Sequence, residues 1–384
     1  MTSSQPDRAL RVPSLFDGER WHHDCGLLLL AGCIDSLVPG PDIPAGIPCE
    51  ELSRGYLAPG FIDLQVNGGG GMLFNNTPTV EALEHISASH RQGGTTSLLP
   101  TLLSDTRDVY EAGVTAVRGA RRMGIAGILG IHIEGPFFAQ ARRGTHRADR
   151  LRIATGDDID WLCRLTDLPR VLTLAPELML PGQIRRLVDA GVMVCAGHSN
   201  ASFTQVQQAC SEGLRGFTHL FNAMSPLSAR EPGVTGAALS SVGCWLGIIA
   251  DGHHVHPASI RIAQRCAPPG KLYLVSDAMA TAGSDRRSFE LYGEIIEERD
   301  GRLVNSEGSL AGSAITMVDG VRYCHEKVGL ALEECLRMAS LYPAQFLDEP
   351  RLGRIAPGCR ADLVLLDDAL RVKATWVAGN RINH

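Results

Sequence analysis

The chain has 384 residues, 44% of them hydrophobic and 20% charged, with 36 basic side chains against 42 acidic ones for a net charge of −6. That balance excludes the electrostatic footprint of a DNA, RNA or anionic-membrane binder, so any anionic ligand must be gripped locally. The length exceeds the usual limit of about 250–300 residues for one core unless that core is an α/β barrel, and 42 Gly and 21 Pro call for many tight turns.

The first residues, Met1 to Leu10, are polar and lack an apolar stretch of signal-peptide length, and no later apolar run is long enough to cross a bilayer; a cytoplasmic location is expected. Residues 1 to about 57 are turn-rich and β-like, from Leu27-Leu28-Leu29-Leu30 to the Pro/Gly cluster between Pro39 and Pro48. Eight short apolar runs follow: Phe61–Val66, Ser97–Thr101, Gly127–Ile133, Val171–Ala175, Val192–Ala196, Gly216–Leu220, Trp245–Ala250 and Leu272–Ser276. Helical stretches at 79–92, 106–122, 202–212 and 257–266 lie between them. Near-continuous apolar strands alternating with helices read as βα units, and eight units predict a (β/α)8 TIM-like barrel. A doubly wound open sheet is the alternative, because periodicity does not distinguish closed from open.

The end of the chain, 352–384, returns to β character in Ala361-Asp362-Leu363-Val364-Leu365-Leu366 and Ala374-Thr375-Trp376-Val377. Neither end alone supplies enough strands to bury a core, so 1–57 and 352–384 are expected to form one small β-sandwich domain beside a barrel domain at 58–351. The 11 cysteines are scattered among apolar neighbours without a CxxC pair, and read as reduced small hydrophobes.

Barrel chemistry sits at the C-terminal ends of the strands. Gln65 and Asn67 stand at the end of the first run, Glu134 after the third, His198 after the fifth and His219 within the sixth; Asp251, His253 and His254 follow the seventh, and Asp277 the eighth. Each alone reads as a surface or capping residue. Together they have the composition of a metal-assisted hydrolase site, with three protein ligands and an open position for water. A barrel has no structural use for so many ionisable groups, and each buried one costs free energy unless paired or metal-bound.

The words around these residues complete the picture: Pro59-Gly60-Phe61-Ile62-Asp63-Leu64-Gln65-Val66-Asn67-Gly68, His132-Ile133-Glu134-Gly135-Pro136-Phe137, Gly197-His198-Ser199-Asn200-Ala201, Thr218-His219-Leu220-Phe221-Asn222-Ala223-Met224, Ile249-Ala250-Asp251-Gly252-His253-His254-Val255 and Val275-Ser276-Asp277-Ala278. In this order they resemble the N-acetylglucosamine-6-phosphate deacetylases of the amidohydrolase superfamily. The resemblance spans roughly 57–320, and Gly353 to Asp367 is similar to the superfamily's closing β-domain.

The resemblance implies that Glu134, His198 and His219 hold one divalent ion per subunit, Zn²⁺ foremost, with Fe²⁺ or another divalent ion open. Most amidohydrolases carry His-x-His on the first strand and hold a second metal; Gln65 and Asn67 stand there instead, and Gln65 either touches the metal water or packs. The implied reaction is hydrolysis of N-acetylglucosamine 6-phosphate to glucosamine 6-phosphate and acetate, by a water whose pKa the metal lowers from near 16 towards about 7. Asp277 would be the general acid–base, its other reading being a helix N-cap. His146, in Arg143-Gly144-Thr145-His146, would stabilise the acetyl oxyanion, its other reading being a solvated loop histidine. Arg230 would bind phosphate in the neighbouring subunit's site, which implies a homodimer; His254, Asn222 and Ala223 would add contacts, and Leu310-Ala311-Gly312 would close over the sugar. His253 is expected to face away. N-acetylgalactosamine 6-phosphate remains an alternative substrate, differing at one hydroxyl. A cyclic-amide hydrolase is disfavoured by the missing His-x-His and bridging lysine, and a catalytically silent scaffold by the presence of every ligand.

Overall fold

The computed structural model describes residues 6–384; Met1–Gln5, part of the polar N-terminal stretch and of the expected small domain, lie outside the described residues. Eight parallel strands run in chain order around one sheet: β1 (Phe61–Val66), β2 (Thr95–Leu102), β3 (Ile131–Glu134), β4 (Arg170–Leu174), β5 (Met193–Ala196), β6 (Gly216–Phe217), β7 (Trp245–Ile249) and β8 (Leu272–Val275). The sheet closes where Val66 bridges Ala278 in parallel register and the Asn67 N–H donates to the Ala278 carbonyl at 2.9 Å. It is therefore a barrel and not an open sheet. All residues of β1 and β2 are buried, which is why they read as unbroken apolar runs instead of alternating ones.

Helices α1 (Val80–Gln92), α2 (Arg107–Arg122), α3 (Gly156–Arg164), α4 (Gln183–Asp189), α5 (Phe203–Ser211), α6 (Gly233–Ser240) and α7 (Pro257–Cys266) fall between the strands. Their starts are chemically marked. The Thr79 hydroxyl accepts from Ala82 N ahead of α1, and Ser202 and Gln205 form a reciprocal capping box on α5. Two strands differ from their apolar runs. β3 begins only at Ile131, because Gly127 turns the chain at φ +90° and Gly130 packs its backbone against Pro169. β6 stops at Phe217, since His219 at φ +35° turns out of the sheet towards the barrel mouth.

Strands from both chain ends share a second, eight-stranded sheet. In it Tyr56–Pro59 lies between Leu363–Leu366, antiparallel, and Arg8–Phe16, parallel. Leu10, Leu27, Ile34, Leu57, Leu363 and Trp376 form its core, while Phe16, Val364 and Leu366 pack into the barrel's core.

A three-stranded antiparallel sheet, Ser288–Leu291, Glu294–Arg299 and Arg302–Val304, follows β8. Its two turns, Tyr292-Gly293 and Asp300-Gly301, hold both residues at positive φ, the conformation of two-residue hairpins. Leu291, Ile296 and Leu303 pack with Leu103 and Met279, and the Tyr292 hydroxyl donates to the Ser104 carbonyl at 2.6 Å. All eleven cysteines are free thiols. Among the described residues no helix is long and apolar enough to cross a membrane.

Candidate active site

The C-terminal mouth of the barrel opens into a cavity of about 360 Å³. At its floor, Glu134 at the end of β3, His198 just beyond β5 and His219 just beyond β6 offer donor atoms that all lie within 4.8 Å of one another. Glu134 Oε1 stands 3.1 Å from His219 Nε2 and 3.4 Å from His198 Nε2, and the two imidazole nitrogens are 3.0 Å apart. His198 donates Nδ1–H to the Arg142 carbonyl at 2.9 Å, so its Nε2 carries a lone pair. Glu134 Oε2 and His219 Nδ1 are buried without a hydrogen-bond partner. A carboxylate oxygen with two converging imidazole nitrogens, plus buried atoms left unpaired, is a donor set that fits a divalent cation.

Backbone strain concentrates on the same rim. His198 (φ +48°), His219 (+35°), Phe221 (+77°), Ala223 (+48°) and Asp277 (+51°) all occupy the left-handed region that non-glycine residues rarely enter. Asp277 follows β8, with no helix after it to cap. Its Oδ1 accepts from Asn67 Nδ2 at 2.7 Å and Gln65 Nε2 at 3.1 Å, and the same Gln65 amide donates to Glu134 Oε1 at 3.0 Å. Burial, then the Glu134 charge, push the Asp277 carboxyl up to about 7 against the opposing pull of His219, His254 and Asn67.

His146 is buried, not a solvated loop residue. Its ring packs edge-on against Phe138 and His198, and burial holds its pKa well below the ordinary value. The Ser104 backbone N–H donates to Nδ1 at 3.2 Å, with the Ser104 hydroxyl 2.8 Å away; a backbone amide only donates, so the neutral ring carries its proton on Nε2. His254 is oriented by Asp251, whose Oδ2 lies 2.6 Å from its Nδ1 and whose Oδ1 accepts from the His253 and His254 amides. Burial would raise the Asp251 carboxyl, but His254 and these amides outweigh it and hold the pKa at about 2.

The cavity brings together Glu134, His198, His219, Asp277, His146, His254, Asn222, Ala223, Leu310, Gly312 and Asn67. Gln65 lies behind the wall, bridging two carboxylates. Ala311 is fully buried towards Leu303 and Met279, so its side chain does not line the cavity. Arg230 sits on an exposed loop and is not part of the cavity lining in a single chain. His253 is exposed beside Gly301, outside the lining. Sequence reading missed Glu177, whose carboxylate accepts from Ser199 Oγ and Asn200 N, both at 2.6 Å, and so pins the turn bearing His198. Its place two residues after the fourth apolar run was a usable signal. Ser104 carried none.

The amidohydrolase family model matches residues 56–382. An N-acetylgalactosamine-6-phosphate deacetylase of Shewanella sp. is 46% identical over 86% of this chain and 84% of its own length. An N-acetylglucosamine-6-phosphate deacetylase of Haemophilus influenzae is 34% identical over 93% and 94%. Among solved structures, N-acetylglucosamine-6-phosphate deacetylase from Pasteurella multocida superposes with a TM-score of 0.95 at 34% identity, covering 98% of this chain and 100% of its own. A mutant of the enzyme from Mycobacterium smegmatis in complex with N-acetyl-D-glucosamine-6-phosphate gives 0.91 at 29%, covering 99% and 100%. The chain belongs to the amidohydrolase family and, within it, to the group formed by the N-acetylglucosamine-6-phosphate deacetylases and their galactosamine counterparts.

Proposed function

We propose that this chain hydrolyses the acetamide of N-acetylglucosamine 6-phosphate, releasing acetate and glucosamine 6-phosphate. One observation carries the reading: the three donor atoms of Glu134, His198 and His219 converge beside the Asp277 carboxylate at the floor of a sugar-sized cavity. These three residues would hold one divalent ion, zinc by preference for an oxygen and two nitrogens. When bound, such an ion supplies Lewis-acid polarisation and lowers the pKa of water towards about 7.

The chain's own groups do the rest. Asp277 commits Oδ1 to Asn67 and Gln65, which leaves Oδ2 to take the water proton and hand it to the departing nitrogen. His146 presents Nε2–H to the carbonyl oxygen as negative charge develops there. Leu310 and Gly312 cover the sugar, with buried Ala311 fixing their course. For the phosphate, Arg230 offers a bidentate guanidinium from a second copy of the chain, and His254 and the backbone of Asn222 and Ala223 add to the grip. A cytoplasmic homodimer, with a small domain of 1–57 and 352–384 on a catalytic domain of 58–351, completes the proposal.

The Shewanella relative's name and 46% identity favour a second reading, N-acetylgalactosamine 6-phosphate as the substrate. Acetate release from both hexosamine phosphates and their unphosphorylated forms, before and after chelation and metal return, tests both. The proposal expects chelation to abolish turnover, metal to restore it, and the gluco compound to lead. Faster turnover of the galacto compound selects the second reading; metal-independent activity, or none on either, removes both.

A further inference from the structure

Away from the cavity, at the N-terminal ends of the barrel strands, two thiols meet. Cys210 lies in the last turn of α5 and is half-buried; Cys244 lies immediately before β7 and is 5% exposed. Their sulfurs are 3.8 Å apart, in hydrogen-bonding contact. Cys244 Sγ also stands 3.4 Å from the Leu214 carbonyl, and the Cys244 N–H donates to Ser241 Oγ. The deacetylase reading uses neither residue.

We propose that Cys210 and Cys244 are a reversible redox pair, which a peroxide or a small-molecule disulfide converts into a disulfide closing the segment 210–244. A disulfide needs the sulfurs about 2.05 Å apart, so they must approach by roughly 1.8 Å. Both ends have room for this: Cys210 is at a helix terminus, and neighbouring Gly243 has open space around it. A surface hollow lined by Gly213, Arg215, Gly243 and Lys271 brings small oxidants beside Cys244. The Cys210 S–H, then the Ser241 hydroxyl and Lys271, favour the Cys244 thiolate, while burial and the Leu214 carbonyl favour its thiol.

With hydrogen peroxide, the Cys244 thiolate attacks one oxygen, the O–O bond breaks and hydroxide leaves; sulfur is oxidised to sulfenic acid as peroxide is reduced. Cys210 sulfur then attacks Cys244 Sγ, the S–O bond breaks, and water departs with the Cys210 proton. Two thiols and one peroxide become one disulfide and two waters. With a small disulfide the same bond forms by two exchanges, releasing two small thiols. The closed segment contains His219, Asn222 and Arg230, so the cross-link removes freedom from the unfolded chain without touching the cavity.

The test uses the full-length protein. Reduced enzyme is treated with stoichiometric hydrogen peroxide or glutathione disulfide, alkylated, and digested without reductant for peptide mass analysis. The expected result is one linked pair joining the Cys210 and Cys244 peptides, with the unfolding temperature raised by several degrees and dithiothreitol reversing both changes. Cys210→Ala and Cys244→Ala should each abolish the linkage and the temperature rise. Recovery of both wild-type thiols in alkylated form after oxidation, or of Cys210 as a lasting mixed disulfide with Cys244 free, overturns the pair. A linked pair with no change in unfolding temperature overturns its stabilising role.

Discussion

Glu134 and Asp158 are both buried carboxylates ringed by nitrogen-bearing side chains, yet their surroundings differ in kind. Asp158, in the first turn of α3, accepts from Arg152, Arg107, Thr155 N and Thr155 Oγ1, so both oxygens are supplied with true donors. Glu134 has one amide donor, from Gln65, two imidazole nitrogens that converge on it, a second oxygen with no partner, and another carboxylate sharing that amide. A satisfied buried charge holds structure together. One left short of positive charge is built to receive it.

The sharpest way to break that contrast is to neutralise the carboxylates in turn. Asp277→Asn should keep its metal by elemental analysis and lose turnover by about 10²–10⁴-fold, the usual worth of a positioned acid–base group; near-normal turnover would remove Asp277 from the mechanism. Glu134→Gln should lose the ion itself, with turnover falling at least as far, while the unfolding temperature of the metal-free protein does not fall. A drop there would make Glu134 as structural as Asp158. Arg230→Ala should raise KM for the phosphorylated sugar by about 10–100-fold, the worth of a charge-assisted hydrogen bond, and leave the unphosphorylated sugar unaffected; equal changes for both would detach Arg230 from the phosphate.

Asp158→Asn is expected to do the reverse: turnover unchanged, stability lowered by about 1 kcal/mol through the weakened helix cap. Burial pushes this carboxyl up, but Arg152 and Thr155 outweigh it and hold the folded pKa at about 2 against an ordinary 3.8. The folded pKa is depressed, so the stabilisation is complete above about pH 4 and disappears as pH falls through about 2. Denaturant unfolding of wild type and variant across that range should show their difference closing; a constant gap would mean the charge contributes nothing.

Much of this contrast was legible in the sequence. Buried parallel strands are continuous apolar runs, so six of the eight could be located closely, and the rule that chemistry follows strand ends picked out Glu134, His198, His219 and Asp277. The three-stranded sheet at 288–304 escaped because Ile295 faces solvent while Glu298 shares the inward face of Ile296, which breaks the short apolar alternation; Asp300-Gly301 was the one local sign of a hairpin. Ser104 and Glu177 act across space on His146 and on the turn of His198, and such pairings leave no periodicity to read. Arg230 stands on an exposed loop outside the cavity lining, and only the family resemblance, no local pattern, singled it out.

The barrel is zipped by Val66 and Ala278, one residue from Asn67 and one from Asp277. The Asp277 carboxyl and the Asn67 amide that donates to it thus straddle the suture between the earliest and latest parts of the cylinder to be synthesised. A chain interrupted before Leu272 would own Glu134, His198 and His219 but lack the carboxylate beside them, so on the proposed function chemistry switches on only when the ring is finished.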